Sequence, residues 1–137
     1  LYRNAYYLGM KIAMFDITDV TKPKELFVEK IGDRGTDSPL LRDHKALLFS
    51  KEKNLMAFPV TVMKVPEGSS PGHDGMPAYG QFEYQGAYIY QVDLQKGFQL
   101  KSKITHMTEE EYQKAGQYWY SDDKNISRII YLGKNLY

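Results

Sequence analysis

The sequence predicts an all-β fold built from a repeated unit of strands and turns. Phe15 to Ile17 closes one apolar run, and Val92 to Leu94 closes another about 77 positions later. Leu48 to Leu55, two short apolar segments around a polar turn, is repeated about 81 positions later by Ile130 to Leu136. Because these two sequence patterns recur at nearly the same offset, we take them as two halves of one repeat unit that spans most of the chain. A loop insertion accounts for the difference between the two offsets.

The repeated unit has the turn chemistry of a β-propeller blade. An Asp at a strand end followed by a turn closed by Pro, as in Asp16 to Pro23, is typical of the connection between the third and fourth strands of a blade. Blades usually have about 40 to 50 residues and a ring needs at least about four. A chain of 137 residues cannot close a ring of units this long. We therefore expect a partial β-propeller that is an internal segment of a single propeller domain.

Within residues 1–137, the predicted segment divides into three parts. Residues 1–43 are the end of one blade and a loop, residues 44–106 are one complete four-stranded antiparallel blade, and residues 107–137 are a short helix and the start of the next blade. The predicted strands are Lys11 to Asp16, Lys24 to Ile31, Lys45 to Phe49, Leu55 to Val65, Gly86 to Asp93, Phe98 to His106 and Ser127 to Leu132.

Three strand features carry further expectations. The runs Ile12 to Phe15 and Ala46 to Phe49 are apolar at every position instead of alternating, which predicts that both of their faces are covered. Pro59 has no amide proton for a central ladder, so we expect its strand to be bulged or bent there. Asp19 can cap the first hairpin turn, and Gly97 can take the positive φ that the other hairpin turn needs.

One helix is predicted from its end signals. Thr108 followed three residues later by Glu111 forms a capping box, and acidic residues fill the first turn. Gly116 supplies the stop. The helix should run from Glu109 to Lys114 or Ala115.

Composition excludes some partners. Eighteen basic and 17 acidic side chains leave a formal charge of +1, which is too small for the basic field that binds nucleic acid or an anionic membrane. The absence of Cys excludes disulfides and thiolate metal sites. No apolar run approaches the roughly 18 residues that span a bilayer. We expect no nucleic-acid partner and no membrane span in this segment.

Several segments together resemble one protein family. They are Gly9 to Val20, Lys22 to Lys24, Ile31 to Ser38, Asp43 to Ala46, Phe49 to Asn54, Tyr84 to Tyr88 and Ile104 to His106. They resemble the secreted bacterial and archaeal proteins with a C-terminal β-propeller domain, which are distantly related to tryptophan-aspartate repeat propellers. The resemblance implies an extracellular or envelope-attached protein. It brings no established activity and no catalytic residues.

Metal and acid-base chemistry have only weak candidates. Asp43 could orient His44 as a general base, or His44 could bind a metal, but a structural role is favoured because Asp and His at the start of strands are usually buried and hydrogen-bonded. Asp33 and Asp37 suggest a Ca²⁺ loop but lack its Asp-x-Asp-x-Asp-Gly pattern and terminal Glu, so a tight turn with Arg34 paired locally is favoured. We expect no metal and no cofactor, with Ca²⁺ at these residues as the weak alternative.

Aromatic residues are the remaining signal, with 12 Tyr, 6 Phe and 1 Trp. Such rings bind sugars or peptides, but they also pack blades together. Besides the three residues after the helix, the candidates for such a surface are Tyr6, Tyr7, Tyr79, Phe82, Tyr84, Tyr88 and Tyr90, and packing is favoured for those that lie in strands. Both readings stay open for Tyr118, Trp119 and Tyr120, which follow the predicted helix toward solvent and are the candidate binding residues.

The sequence therefore predicts a non-enzymatic propeller segment that recognises a protein or a cell-wall glycan. No Gly-x-Ser-x-Gly, phosphate-binding loop or His-Glu-x-x-His motif is present. Two alternatives stay open: part of an envelope hydrolase or metal-dependent enzyme whose site is split across blades, and a structural scaffold. An open propeller piece also exposes sheet faces and edges, which predicts self-association.

Overall fold

The computed structural model describes residues 5–72, 75–118 and 123–137. Its strands are β1 (Met10–Asp16), β2 (Lys24–Ile31), β3 (Leu48–Ser50), β4 (Leu55–Lys64), β5 (Gln81–Asp93), β6 (Gly97–Ile104), β7 (Tyr131–Leu132) and β8 (Asn135–Leu136). Its helix is α1 (Glu109–Ala115), and two short 3-10 helices cover Pro39–Leu41 and His44–Ala46. Strands β3-β4-β5-β6 form a central antiparallel sheet, and the hairpins β1-β2 and β7-β8 flank it. The predicted all-β architecture, with one four-stranded sheet, two partial neighbours and one short helix, is confirmed.

The sequence repeat has a direct structural counterpart. Asp16 ends β1 and accepts a hydrogen bond from the Thr18 amide at 2.9 Å, and Asp93 ends β5 and accepts from the Gln95 and Lys96 amides at 2.7 Å. Each of these aspartates begins the turn into the next antiparallel strand. Hairpin β1-β2 is therefore equivalent to β5-β6, and hairpin β7-β8, whose sequence repeats that of β3-β4, is equivalent to β3-β4.

Strands β4 and β5 of the central sheet are covered on both faces. On what we call its first face, Phe58, Val60, Val62, Tyr88 and Tyr90 form a core with Met10 and Ile31 of hairpin β1-β2. On its second face, Ala57, Ala87 and Ile89 form a core with Ile126 and Ile129 of the segment that leads into β7. Because successive side chains of a strand point to opposite faces, neighbouring residues of β4 and β5 feed two different cores.

The expectation of a bulge at Pro59 is wrong. Pro59 pairs with Ala87 in unbroken register, and the irregularity in β4 falls between Val62 and Met63. The side of β4 that Pro59 faces has no strand partner there, because β3 pairs only as far as Ala57. The Pro59 carbonyl instead accepts a hydrogen bond from the Ser38 hydroxyl at 2.6 Å, so the missing amide proton interrupts no ladder.

Two predicted strands are also shorter than expected. The strand expected from Lys45 begins at Leu48, because His44–Ala46 forms a 3-10 turn. The strand expected over Ser127 to Leu132 is limited to Tyr131–Leu132. Ile126, just before this range, and Ile129 within it are buried and lie three residues apart, which is not the alternation of a strand.

Strands β1 and β3 contain the apolar runs that were predicted to be buried on both faces, and they are not. Phe15 is 50% exposed in β1, and Phe49 is 55% exposed in β3. Met14 before Phe15 is partly buried, and so are Leu48 and Ser50 on either side of Phe49. In the described part of the chain, these two strands are therefore covered on one face only.

Helix α1 has the predicted ends. The Thr108 side chain accepts from the Glu111 amide and the Glu111 carboxylate accepts from the Thr108 amide, which completes the capping box, and Gly116 follows with φ of 56°. Glu111 also forms an ion pair with Lys124, which ties the helix to the segment before β7. No helix in the described residues is long and apolar enough to cross a membrane.

Two glycines at equivalent positions allow close backbone approach. Gly9 and Gly86 are 77 residues apart and each precedes the matching segment of β1 or β5. A Cβ at Gly86 would overlap the Ile104 carbonyl oxygen, and a Cβ at Gly9 would lie 2.8 Å from the Ile31 carbonyl oxygen. Hairpins β1-β2 and β5-β6 therefore each require Gly where their first strand lies against the end of their second strand.

We expect Gly86→Ala to lower the free energy of unfolding by about 1 to 3 kcal/mol, because the new Cβ must displace backbone of β6. Gly72→Ala is the control, since its Cβ would meet no atom closer than 3.5 Å. Urea unfolding of both variants measures the difference. Equal stability of the two variants would contradict the close approach.

The pKa of Glu111 is lowered from its ordinary 4.5 to about 2, first by the hydrogen bond from Lys124 and then by those from Thr108. A lowered carboxyl pKa stabilises the fold above the ordinary pKa, and this contribution is lost as the pH falls toward the folded value. Glu111→Gln should therefore be less stable than the wild type near neutral pH, and the difference should shrink between about pH 5 and about pH 2. Unfolding at several pH values measures this, with Glu110→Gln as the control that keeps the Lys124 pair. A difference that does not change with pH would contradict it.

Candidate functional site

A groove of about 660 Å³ lies at the end of the central sheet where β4 finishes and β5 begins. Its walls come from four separate segments: the approach to β1, the loop between β2 and β3, the loop between β4 and β5, and the residues that follow α1. Because these segments meet only in the folded chain, the groove is a product of tertiary structure.

Three exposed tyrosines line the groove. Tyr7 is 62% exposed, Tyr79 is 60% exposed and Tyr118 is 80% exposed, and all three border the same cavity. Exposed rings at a concave surface keep an apolar face and a hydroxyl available for a ligand. Tyr118 was predicted to lie toward solvent, and it does. Tyr7 and Tyr79, which lie outside the predicted strands, also border this groove.

Arg34 fixes the loop that carries Tyr79. Its guanidinium lies 5.5 Å from the Tyr79 ring centre and 5.3 Å from that of Tyr6, and its Nη1 donates to the Pro77 carbonyl at 2.5 Å. The Gly80 amide also donates to the Arg34 carbonyl at 2.8 Å. Arg34 thus binds the loop between β4 and β5, and the expectation that it pairs within its own loop is wrong.

The loop between β2 and β3 continues the edge of β4. Asp37 and Thr61 exchange two backbone hydrogen bonds, at 3.0 and 2.8 Å. The Thr36 hydroxyl donates to the Met63 carbonyl at 3.1 Å and accepts from the Met63 amide at 3.0 Å. The loop is therefore a rigid groove wall that takes the place of a further strand.

The loop between β2 and β3 also carries an ion pair between Asp37 and Arg42. The Arg42 guanidinium donates to both oxygens of the Asp37 carboxylate, at 3.0 and 2.5 Å. The hydrogen bonds that Arg42 donates to Asp37 lower the pKa of the Asp37 carboxyl and raise the pKa of the Arg42 guanidinium. Both groups border the groove and are about half exposed or more, so their unused donors and acceptors can reach a ligand.

The segment after α1 is anchored beside β5. The Tyr118 amide donates to the Ala115 carbonyl at 3.1 Å, and the Phe82 amide donates to the Gln117 carbonyl at 3.2 Å. These bonds hold Tyr118 at the groove although its ring is exposed. Trp119 and Tyr120, the other two predicted binding residues, lie outside the described residues.

The weak metal candidates do not converge. The Asp33 carboxylate accepts from the Val65 amide at 2.8 Å, Asp37 is paired with Arg42, and Asp43 accepts from the Lys45 amide at 2.9 Å. Over residues 5–72, 75–118 and 123–137, no three His, Asp or Glu residues lie close enough together to hold a metal ion.

Asp43 and His44 do not have the buried role predicted for them. Both are exposed. Asp43 is the N-cap of the 3-10 turn at His44–Ala46, and the buried strand expected to start there begins later, at Leu48. The local turn signal of Asp43 therefore outweighs the apolar run that follows it.

The strand aromatics Tyr88 and Tyr90 are buried, as expected. Tyr90 stacks on Phe58 with ring centres 5.9 Å apart, and Phe82 stacks on Tyr112 at 5.7 Å. Tyr84 and Tyr88 lie 5.4 Å apart, with the Lys103 ammonium group 5.5 and 4.8 Å from their ring centres. The groove tyrosines differ from these in exposure, which the sequence alone does not report.

Comparison with known proteins agrees with the fold. A family model described as a β-propeller domain matches residues 2–137. Searches of curated proteins and of solved structures gave no significant match. The central four-stranded antiparallel sheet, packed between two hairpins that are halves of the same repeat, is the arrangement of a partial propeller. The chain therefore belongs to the β-propeller domain family.

Proposed function

We propose that this propeller segment is a non-enzymatic recognition module that binds a cell-wall glycan in the tyrosine-lined groove. The observation that carries the proposal is the convergence of three exposed tyrosines, Tyr7, Tyr79 and Tyr118, on one cavity of about 660 Å³. A cavity of that volume is in the range of small-ligand sites. It can accommodate a short segment of a polysaccharide.

The chemistry of the groove suits a sugar chain. Sugar rings have apolar C–H faces that pack on tyrosine rings, and hydroxyl groups that need both donors and acceptors. The groove supplies the Asp37 carboxylate as an acceptor, the Arg42 guanidinium as a donor, and the side chains of Gln81 and Gln117 as both. Apolar surface with a few polar groups that fix orientation is the general composition of a binding site.

An extended peptide fits the groove less well. Peptides often bind by adding a strand to a free sheet edge. Here the wall next to β4 is closed, because the backbone groups of Asp37 and Thr61 are bonded to each other. The remaining contacts are ring faces and side-chain polar groups, which favours a glycan as the occupant.

Asp37 is not suited to be the proton donor of a glycoside hydrolase. Glycoside hydrolysis needs a carboxylic acid whose pKa is raised so that it can donate a proton. The Arg42 pair instead lowers the pKa of Asp37, so this carboxyl stays ionised near neutral pH. An extracellular or envelope-attached location, which the family resemblance implies, would place the groove where cell-wall glycans are found.

We expect Tyr118→Ala to weaken retention on purified insoluble bacterial cell walls by about tenfold, because an aromatic anchor at a binding surface contributes more than about 1 kcal/mol. A pull-down titration measures the affinity. Tyr137→Ala is the matched control, since Tyr137 is 65% exposed and does not border the groove. Circular dichroism should be unchanged for both variants.

Equal binding by the two variants, or no binding by the wild type, would contradict the proposal. Ala substitutions of Trp119 and Tyr120 in the same assay test the other two predicted binding residues.

A further inference from the structure

Asp37 and Arg42 form a fixed ion pair at the wall of the tyrosine-lined groove. Both side chains border the groove, and the two terminal nitrogens of the Arg42 guanidinium donate to the two carboxylate oxygens of Asp37, at 3.0 and 2.5 Å. This two-point geometry aligns a planar donor with a planar acceptor and sets the relative orientation of the two groups. The wall therefore presents a pair of opposite charges and not a single charge.

The backbone that carries the pair is held in place as well. The Asp37 amide and carbonyl are both bonded to Thr61 of β4. Between the two charged residues lies the short 3-10 helix Pro39–Leu41, which Ser38 caps and which ends at Arg42. Because none of these bonds needs a ligand, the pair is formed before anything binds in the groove.

The pair leaves the groove without net charge in the part of the chain that the structure describes. Apart from Asp37 and Arg42, the described residues that line the groove are uncharged. Asp33 and Arg34, which lie in the same loop, border a separate small cavity. The Asp33 carboxylate accepts from a backbone amide there, and the Arg34 guanidinium donates to a backbone carbonyl. These two groups are also of opposite sign.

An uncharged sugar chain can use both members of the pair at once. Each sugar hydroxyl is both a donor and an acceptor of hydrogen bonds. The pair in turn leaves carboxylate lone pairs on Asp37 and N–H groups on Arg42 unused. A chain without charge therefore binds to both groups and does not have to separate them.

An anionic sugar chain meets a less favourable groove. Its carboxylate, sulfate or phosphate group loses hydration on entering, and this loss is offset only if a cation becomes its partner. Arg42 is already bonded to Asp37, and the Asp37 carboxylate repels a second anion placed beside it. Asp37 thus cancels the attraction that an unpaired Arg42 would exert.

We propose that Asp37 sets the charge specificity of the groove, so that the groove selects uncharged glycans over anionic ones. This inference rests on the proposed glycan recognition and adds to it the class of glycan and the residue that determines the class. Removing the charge of Asp37 frees Arg42 for an anion. Removing the charge of Arg42 leaves Asp37 as a repelling group, so the two changes should act in opposite directions.

Retention on two forms of the same purified bacterial cell wall tests the inference. Native walls that carry anionic phosphate polymers are compared with walls from which hydrofluoric acid has removed those polymers. For each protein, the measured quantity is the affinity for native walls divided by the affinity for stripped walls, at low salt. The wild type should bind stripped walls at least as tightly as native ones.

Asp37→Asn should raise this ratio by about fivefold, which is the size expected for one exposed charge pair, and the increase should shrink at about 1 M salt. Arg42→Gln should lower the ratio by a similar factor. Asp19→Asn is the matched control, because it changes the net charge by the same amount at the exposed turn between β1 and β2, away from the groove. It should keep the wild-type ratio. Circular dichroism checks the fold of each variant.

A wild type that binds native walls more tightly than stripped ones would overturn the inference and leave the proposed glycan recognition standing. An Asp37→Asn ratio equal to that of the wild type or of Asp19→Asn would do the same. If Asp37→Asn is unfolded, Arg42→Gln decides, and an unchanged ratio overturns the inference. A wild type retained on neither form of the wall would overturn the glycan recognition itself, and this inference with it.

Discussion

The long antiparallel pairing of β4 with β5 is the interaction on which the rest of the structure depends. The two strands pair from Leu55 with Gln91 to Lys64 with Gln81. Their side chains alternate between two cores, so that Phe58 and Tyr90 are fully buried on one face and Ala57 is fully buried on the other. Every other sheet element packs on this pair or extends it, and burial of apolar surface on both faces is its main source of stability.

The candidate groove is a consequence of the same pairing. The end of β4 binds the loop between β2 and β3 through Thr61 and Met63, and the start of β5 binds the segment after α1 through Phe82. These attachments bring distant parts of the sequence to one end of the sheet. Loops held by a rigid sheet are the usual location of binding residues, which is why exposed tyrosines at this end are informative. The proposed glycan recognition thus depends on the two strands that form the core.

The features predicted correctly from the sequence are mostly turns and helix ends, which depend on neighbouring residues alone. Asp16 and Asp93 mark equivalent strand ends, and Thr108 with Glu111 marks the helix start, because each acts on backbone within three residues of itself. The repeat then gives the equivalence of the hairpins, since two matched offsets constrain the whole chain.

Features that depend on distant partners could not be predicted in the same way. Pro59 is tolerated because β3 stops before it and Ser38 binds its carbonyl, and neither fact is visible near Pro59 in the sequence. Composition does not distinguish a buried ring from an exposed one, so it could not single out Tyr7 and Tyr79 as residues of one groove. The groove itself needs four segments to meet, and only the tertiary structure shows that they do.

Amide hydrogen exchange of the whole chain tests the central role of the β4-β5 pair most directly. If this pair holds the fold together, the amides of Phe58, Val60, Tyr88 and Tyr90 should exchange most slowly and only through global unfolding. The amides of β1-β2 and β7-β8 should exchange faster, through local opening of the hairpins. Protection in either hairpin equal to or greater than that in β4 and β5 would contradict the account.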